Sequence, residues 1–190
     1  MLVSGALAFS IARADNETKS PSPDGKFAVL LTEDEKEEDR VKIQLIEVSS
    51  GKVVLDLAES GHPHSGHCKL LWSPDSERFA FYEARHRGGD TTVYFWNESA
   101  FAESPLPQLG DCATARQKKE LEGKGVHKFI EADTAPKEWL KSGALVLMNA
   151  QGWETKDGNL RGCTQTVTIA FDAKHKASVQ RVADKKQKDY

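Results

Sequence analysis

The sequence has little excess of either charge sign: 26 Lys and Arg stand against 29 Asp and Glu, for a formal net charge of −3. Neither terminus carries a strong basic block, so no nucleic-acid surface is expected. Long apolar runs are missing as well. Leu2 to Ile11 is apolar and free of acid, but it falls far short of the roughly 20 residues that cross a bilayer. No later segment is apolar enough to anchor the chain, so no membrane span is expected. Familiar catalytic signatures are absent too. There is no Gly-x-Ser-x-Gly elbow, no His-Glu-x-x-His pair and no glycine-rich phosphate loop, and no cofactor is expected. Fourteen Gly, seven Pro and low repetition argue against a collagen-like or wholly disordered chain.

What remains is a 190-residue chain with 38% hydrophobic content, enough for one domain with a real core. Leu2 to Ile11 runs into Ala12-Arg13-Ala14, a small-x-small site, and then into Asp15-Asn16-Glu17. That order resembles a secretory signal, although no Lys or Arg precedes the apolar run. Residues 1–14 are read as a leader and 15–190 as one domain, destined for a periplasm or the outside of the cell. Three cysteines, Cys68, Cys112 and Cys163, follow the leader. An odd count in an oxidising compartment implies one disulfide and one leftover thiol, or a bond between chains. Cys112 with Cys163 suits a bridge because both flank loop-like segments, but the sequence does not choose among the three pairs. No Cys-x-x-Cys occurs, so thiol–disulfide exchange has little support.

Along the chain, short strands alternate with turns. Pro21, Pro23, Asp24 and Gly25 make a turn before the apolar run Phe27 to Leu31. Glu33 to Arg40 reads as a charged hairpin loop. Val41 to Glu47 and Val53 to Leu57 read as strands joined by the Ser49-Ser50-Gly51-Lys52 turn. Such short links carry no crossover helix, so the strands form an antiparallel meander. Cys68 to Trp72, Phe79 to Tyr82 and Thr91 to Trp96 repeat the pattern, with Arg85 to Asp90 as a hairpin loop. Ser22-Pro23-Asp24-Gly25 and Ser73-Pro74-Asp75-Ser76 set an internal period of 51 residues.

These two segments, Ser22-Pro23-Asp24-Gly25-Lys26-Phe27-Ala28 and Trp72-Ser73-Pro74-Asp75-Ser76-Glu77-Arg78-Phe79-Ala80-Phe81, resemble the blade motif of TolB-like, WD40-like β-propellers. Ser50-Gly51-Lys52 resembles the later turn of such a blade. The likeness covers about residues 20–109. It implies a mainly β fold of antiparallel meander blades, and a non-catalytic role in binding or protein interaction. Ser76 stands where the motif has glycine, and no aromatic precedes Ser22.

The second half is less regular. Ala113 to Glu122 reads as a helix ended by Gly123, and Ala135 to Lys141 as another short helix with Pro136 in its first turn. Leu145 to Met148, Thr164 to Phe171 and Ser178 to Val182 read as three antiparallel strands, a degenerate third blade, with Lys185 to Tyr190 frayed. Blade-like units then span about 20–60, 67–109 and 129–184. Three blades do not close a ring, so the expectation is a partial propeller that meets a protein partner or self-associates through its open blade edges.

Candidate chemistry is sparse. Tyr82, Trp96, Trp139 and Trp153 are candidates for an exposed aromatic patch, and Arg85 and His86 beside Gly88-Gly89 for a contact with an anionic ligand. His62, His64, His67 and Cys68 carry zinc- or copper-binding chemistry in compressed spacing; on an extended chain His62, His64 and Cys68 share a face. Two rivals to the interaction module follow: a periplasmic hydrolase-type enzyme with polar residues converging between blades, and a metal-binding protein using the His62–Cys68 loop.

Overall fold

A computed structural model describes residues 17–33, 41–60 and 68–188. The expected leader, the charged stretch 34–40 and the three histidines His62, His64 and His67 lie outside the described residues.

The described residues are mainly β, with one helix. A first antiparallel sheet holds β1 (Glu17–Lys19), β2 (Phe27–Glu33), β3 (Val41–Glu47) and β4 (Val53–Ser60) in chain order. A second, eight-stranded sheet begins with the meander β5 (Cys68–Trp72), β6 (Arg78–Arg85), β7 (Gly88–Trp96) and β8 (Phe101–Ser104). It continues, after helix α1 (Ala115–Lys124), through β9 (Val126–Trp139), β10 (Leu145–Thr155), β11 (Leu160–Phe171) and β12 (Ala177–Lys188). The expectation of three separate blades is therefore corrected to two sheets, and no ring is closed. The reason is one short parallel contact: Gly88 and Gly89 of β7 pair with Ala132 and Asp133 of β9, which merges the second and third units.

Strand alternation sorts the core into layers. On β6 and β7, Phe79, Phe81 and Tyr94 pack against Val29, Val41, Ile43 and Leu45 of the first sheet. Their neighbours Ala80, Val93 and Phe95 pack instead against Trp139, Leu145, Leu147, Val167 and Ile169 of the third unit. The middle unit is thus apolar on both sides, which explains its near-continuous hydrophobic strands.

The two Ser-Pro-Asp turns have the same internal bonding. Ser22 N donates to Phe27 O and Gly25 N to Ser22 O, as Ser73 N does to Arg78 O and Ser76 N to Ser73 O. In each, the serine hydroxyl bonds the aspartate two residues on and meets the N–H five residues on. Each turn is a closed local unit, which is why it could be read from sequence.

Four further corrections concern local elements. Ala135 to Lys141 is not helical: residues through Trp139 belong to β9, and Pro136 sits opposite Leu147 beside a register shift. A bulge tolerates the missing proline N–H, and burial of Trp139 in the core outweighs local helix propensity. The third unit has four strands rather than three. Gly88 and Gly89 lie within β7 rather than in a loop. Lys185 to Lys188 continue β12 instead of fraying, because β11 pairs with them as far as Lys188.

The one helix is held by its ends. Thr114 and Gln117 form a capping box, and Gln117, itself buried, donates from Nε2 to Gly162 O at 2.7 Å. Leu121 packs on Trp153, Cys112 and Cys163. Of the three cysteine pairs open from sequence, the structure joins Cys112 with Cys163, their Cα atoms 5.7 Å apart.

Candidate functional site

The contact between β7 and β9 is built on two positions that exclude a side chain. A Cβ on Gly88, whose φ is +116°, would lie 1.7 Å from Ala132 O. A Cβ on Gly89 would lie 2.5 Å from the tip of the Tyr82 ring. With no side chain in the way, Ala132 N donates to Arg87 O at 3.1 Å, and Tyr82 reaches across Gly89 to donate from Oη to Asp133 Oδ1 at 2.7 Å. Thr91 Oγ1 donates to Thr134 O at 2.5 Å. Three strands are thereby fixed at one point. Burial first, then the Asp133 carboxylate, pushes the Tyr82 phenol well above its ordinary range, so it stays protonated and donating.

Two clefts flank this junction. The first, of about 380 Å³, is lined by Asp90, Thr91, Asp133, Thr134, Asn149 and Gln151, and roofed by residues 106–109. Its size falls in the range of small-ligand sites, and convergent polar groups in a concave site are the usual mark of one. The roof is tied down beyond its end. Asn149 Nδ2 and Gln165 Nε2 both donate to Gly110 O, at 3.2 and 2.8 Å. Gln151 Oε1 accepts from Cys112 N at 3.3 Å, and the disulfide follows at once. The second cleft, of about 320 Å³, lies beside His86, Arg87, Gly88, Ile130, Glu131 and Lys188. There Lys188 Nζ is bonded to Glu131 at 2.5 Å. A larger depression of about 500 Å³ lies on β3 and β4 at Lys42, Gln44 and Asp56. There Gln44 Nε2 donates to Asp56 Oδ1 at 2.7 Å.

The sequence candidates divide accordingly. Tyr82 forms the junction, His86 rims the second cleft, and Arg85 sits beside the first, 3.2 Å from Asp90 and 3.7 Å from Glu83. The tryptophans do not join them. Trp153 is 2% exposed beside the disulfide, and Trp139 is 8% exposed with Nε1 donating to Leu71 O and the Arg78 guanidinium over its ring. Half-buried Trp96 packs on Phe27 and Phe101. An exposed aromatic patch from these side chains is therefore corrected: each fills a different part of the core. Cys68 is half-buried, and burial, followed by Glu83, pushes its thiol up to about 11, which keeps it a poor nucleophile near neutral pH. Among the described residues, no group of three His, Cys, Asp or Glu is placed to hold a metal ion.

Asp90, Asp133, Thr134, Asn149 and Gln151 were not singled out from sequence. Two signals pointed to them. A Gly-Gly pair inside a strand marks a close approach of another element, and amides at alternate positions of an otherwise apolar strand mark a polar belt on its inner face.

No family model, no curated protein and no solved structure matches the chain.

Proposed function

We propose that the chain is an exported, non-catalytic interaction module whose Ser-Pro-Asp turns and meanders are of the TolB-like blade type, arranged here in two sheets, with the β7–β9 junction as its contact site. The observation that carries the reading is the Tyr82–Asp133 bond across Gly89. It fixes a concave, polar site at one end of the middle unit, and it commits the phenol to holding the site together rather than to proton transfer. The blade-type reading is supported by the matching bonds of the Ser22 and Ser73 turns and by the face-to-face layers on either side of β6 and β7. Export is supported by the Cys112–Cys163 disulfide, which suits an oxidising compartment.

A photo-cross-linking residue placed at Gln108, on the cleft roof, tests the contact site in the source cells. Lys174, in the β11–β12 turn, is the control. The reading expects a discrete cross-linked product from position 108 and none from 174. Equal labelling from both, or none from 108, contradicts it. The hydrolase reading has one observation in its favour, two carboxylates lining one cleft. Turnover of ester or glycoside substrates that Asp133→Asn abolishes would replace the interaction reading with it.

A further inference from the structure

The groups around the first cleft are mostly acceptors. Asp133 Oδ1 accepts the hydrogen bond from Tyr82 Oη, and Oδ2 has no partner among the described residues. Among the described residues Asp90 is met only by Arg85, at 3.2 Å, where both side chains are 64% exposed. Asn149 is a separate indication. It is 4% exposed and lines the cleft, and its one side-chain bond among the described residues runs from Nδ2 to Gly110 O. That bond sets the orientation of the amide, since a carbonyl can be met only by the NH₂ end. Oδ1 is therefore the end of the Asn149 amide left open, an acceptor with no donor among the described residues that solvent in the cleft still reaches. The two carboxylates that line the same cleft set the sign of a donor that could meet it. The field agrees: Asp133, Asp90 and Glu131 all help to raise the Tyr82 phenol.

Resting on the contact site proposed above, we infer that this cleft takes the side chain of a lysine or arginine from a partner protein, its cationic head among Asp133, Asp90 and Asn149. Leu106, Pro107, Leu109 and Ala132 supply an apolar wall for the aliphatic stem. Arg85 already sets a guanidinium against Asp90 from the solvent side, and its exposure makes it easy to displace. A charge-assisted bond to each carboxylate and one to the amide oxygen would satisfy all three donors of a lysine head group and three of the five of an arginine, leaving two to water.

The test uses the oxidised full chain, isotopically labelled, titrated with the tripeptide amide Ala-Arg-Ala, with its neutral citrulline counterpart and with free cadaverine. The arginine peptide is expected to shift the amides of Asp90, Thr91, Asp133, Thr134 and Asn149, and the citrulline peptide to bind at least about tenfold more weakly. Asp133→Asn keeps an acceptor for Tyr82, so the fold is retained while the charge is lost; it and Asp90→Asn are each expected to weaken the arginine peptide severalfold. Equal binding of the citrulline peptide, or wild-type affinity in the doubly substituted chain, overturns the inference. Cadaverine binding about tenfold tighter than the peptide also overturns it, in favour of a free amine. If cross-links form at Gln108 while the arginine peptide fails, the contact site stands and only its cationic ligand falls; if both fail, both readings fall.

Discussion

The backbone N–H of Asp24 donates to Ser76 Oγ at 3.1 Å, so the tips of the two Ser-Pro-Asp turns are bonded to each other. Trp72 Nε1 adds a second link, donating to Ser20 O at 3.0 Å. The repeat is therefore an interface as well as a sequence pattern. It also explains why a side chain occupies a glycine-type position. Ser76 has φ +62°, close to the +71° of Gly25 in the first turn, and its hydroxyl receives the bond that a glycine would forgo.

Ser76→Ala keeps the unfavourable left-handed backbone and loses the acceptor, so it should cost about 1 kcal/mol. Ser76→Gly relieves the backbone while losing the same bond, and the two effects nearly cancel. Urea unfolding of both variants checks the order: alanine clearly below wild type, glycine within a few tenths of a kcal/mol of it.

Acid should weaken the same region. The Ser22 hydroxyl, then Lys26, holds the Asp24 carboxyl down at about 2 against an ordinary 3.8. A carboxyl depressed in the folded state contributes stability that is present above the unfolded value and is lost as pH falls through the folded one. Asp75 is lowered in the same direction, since its bonds to Arg78 and Ser73 outweigh its burial. Stability measured between pH 4 and pH 2 should therefore fall, and Asp24→Asn should flatten part of that slope. An unchanged slope in the variant would remove Asp24 from the account.

Substitution at Gly88 should be among the costliest single changes in the molecule. An alanine there meets Ala132 O and adopts a strained φ, and the strand contact must open to admit it. The expected loss is about 2 kcal/mol or more. Tyr82→Phe removes one bond to a carboxylate, a net loss of about 1.5–3 kcal/mol. Thermal unfolding of both variants checks this, and a Gly88→Ala chain as stable as wild type would contradict the described junction.

The disulfide joins residues 51 apart. Chain-entropy arguments put the cost of removing such a link at about 4 kcal/mol, within a usual range of about 2–5. Adding a reductant, or substituting both Cys112 and Cys163 with alanine, should lower the melting temperature markedly and speed hydrogen exchange in the roof segment 105–111. A shift confined to α1, with the roof unchanged, would show that the amides of Asn149 and Gln165 suffice to hold it.

Legibility from sequence followed the range of the bonds involved. The Ser22 and Ser73 turns close their bonds within five residues, and the strands between them alternate cleanly, so both were readable. The stretch Ala135 to Trp139 was not. Its residues favour a helix, and only packing against Leu145, Leu147 and the middle unit makes them a strand. The tryptophans failed for the same reason, because whether an aromatic is exposed depends on the sheet that covers it. At the site, Arg85 and His86 were visible beside a Gly-Gly pair, as a contact for an anionic ligand, and Tyr82 only as a member of an aromatic patch. Asp133 and Asn149 were not, because a two-residue parallel contact brings them there from the third unit.

The central claim is that the β7–β9 junction, rather than an open sheet edge, is the surface this protein uses. Hydrogen exchange on the chain alone and bound to the partner captured from position 108 tests it most directly. The account predicts slowed exchange at residues 90–91, 106–110 and 132–134, with the outer strands β4 and β12 unchanged. Protection along β4 or β12 with an unaltered junction, or the same protection on concentrating the chain alone, would contradict it and assign the contact to the sheet edges.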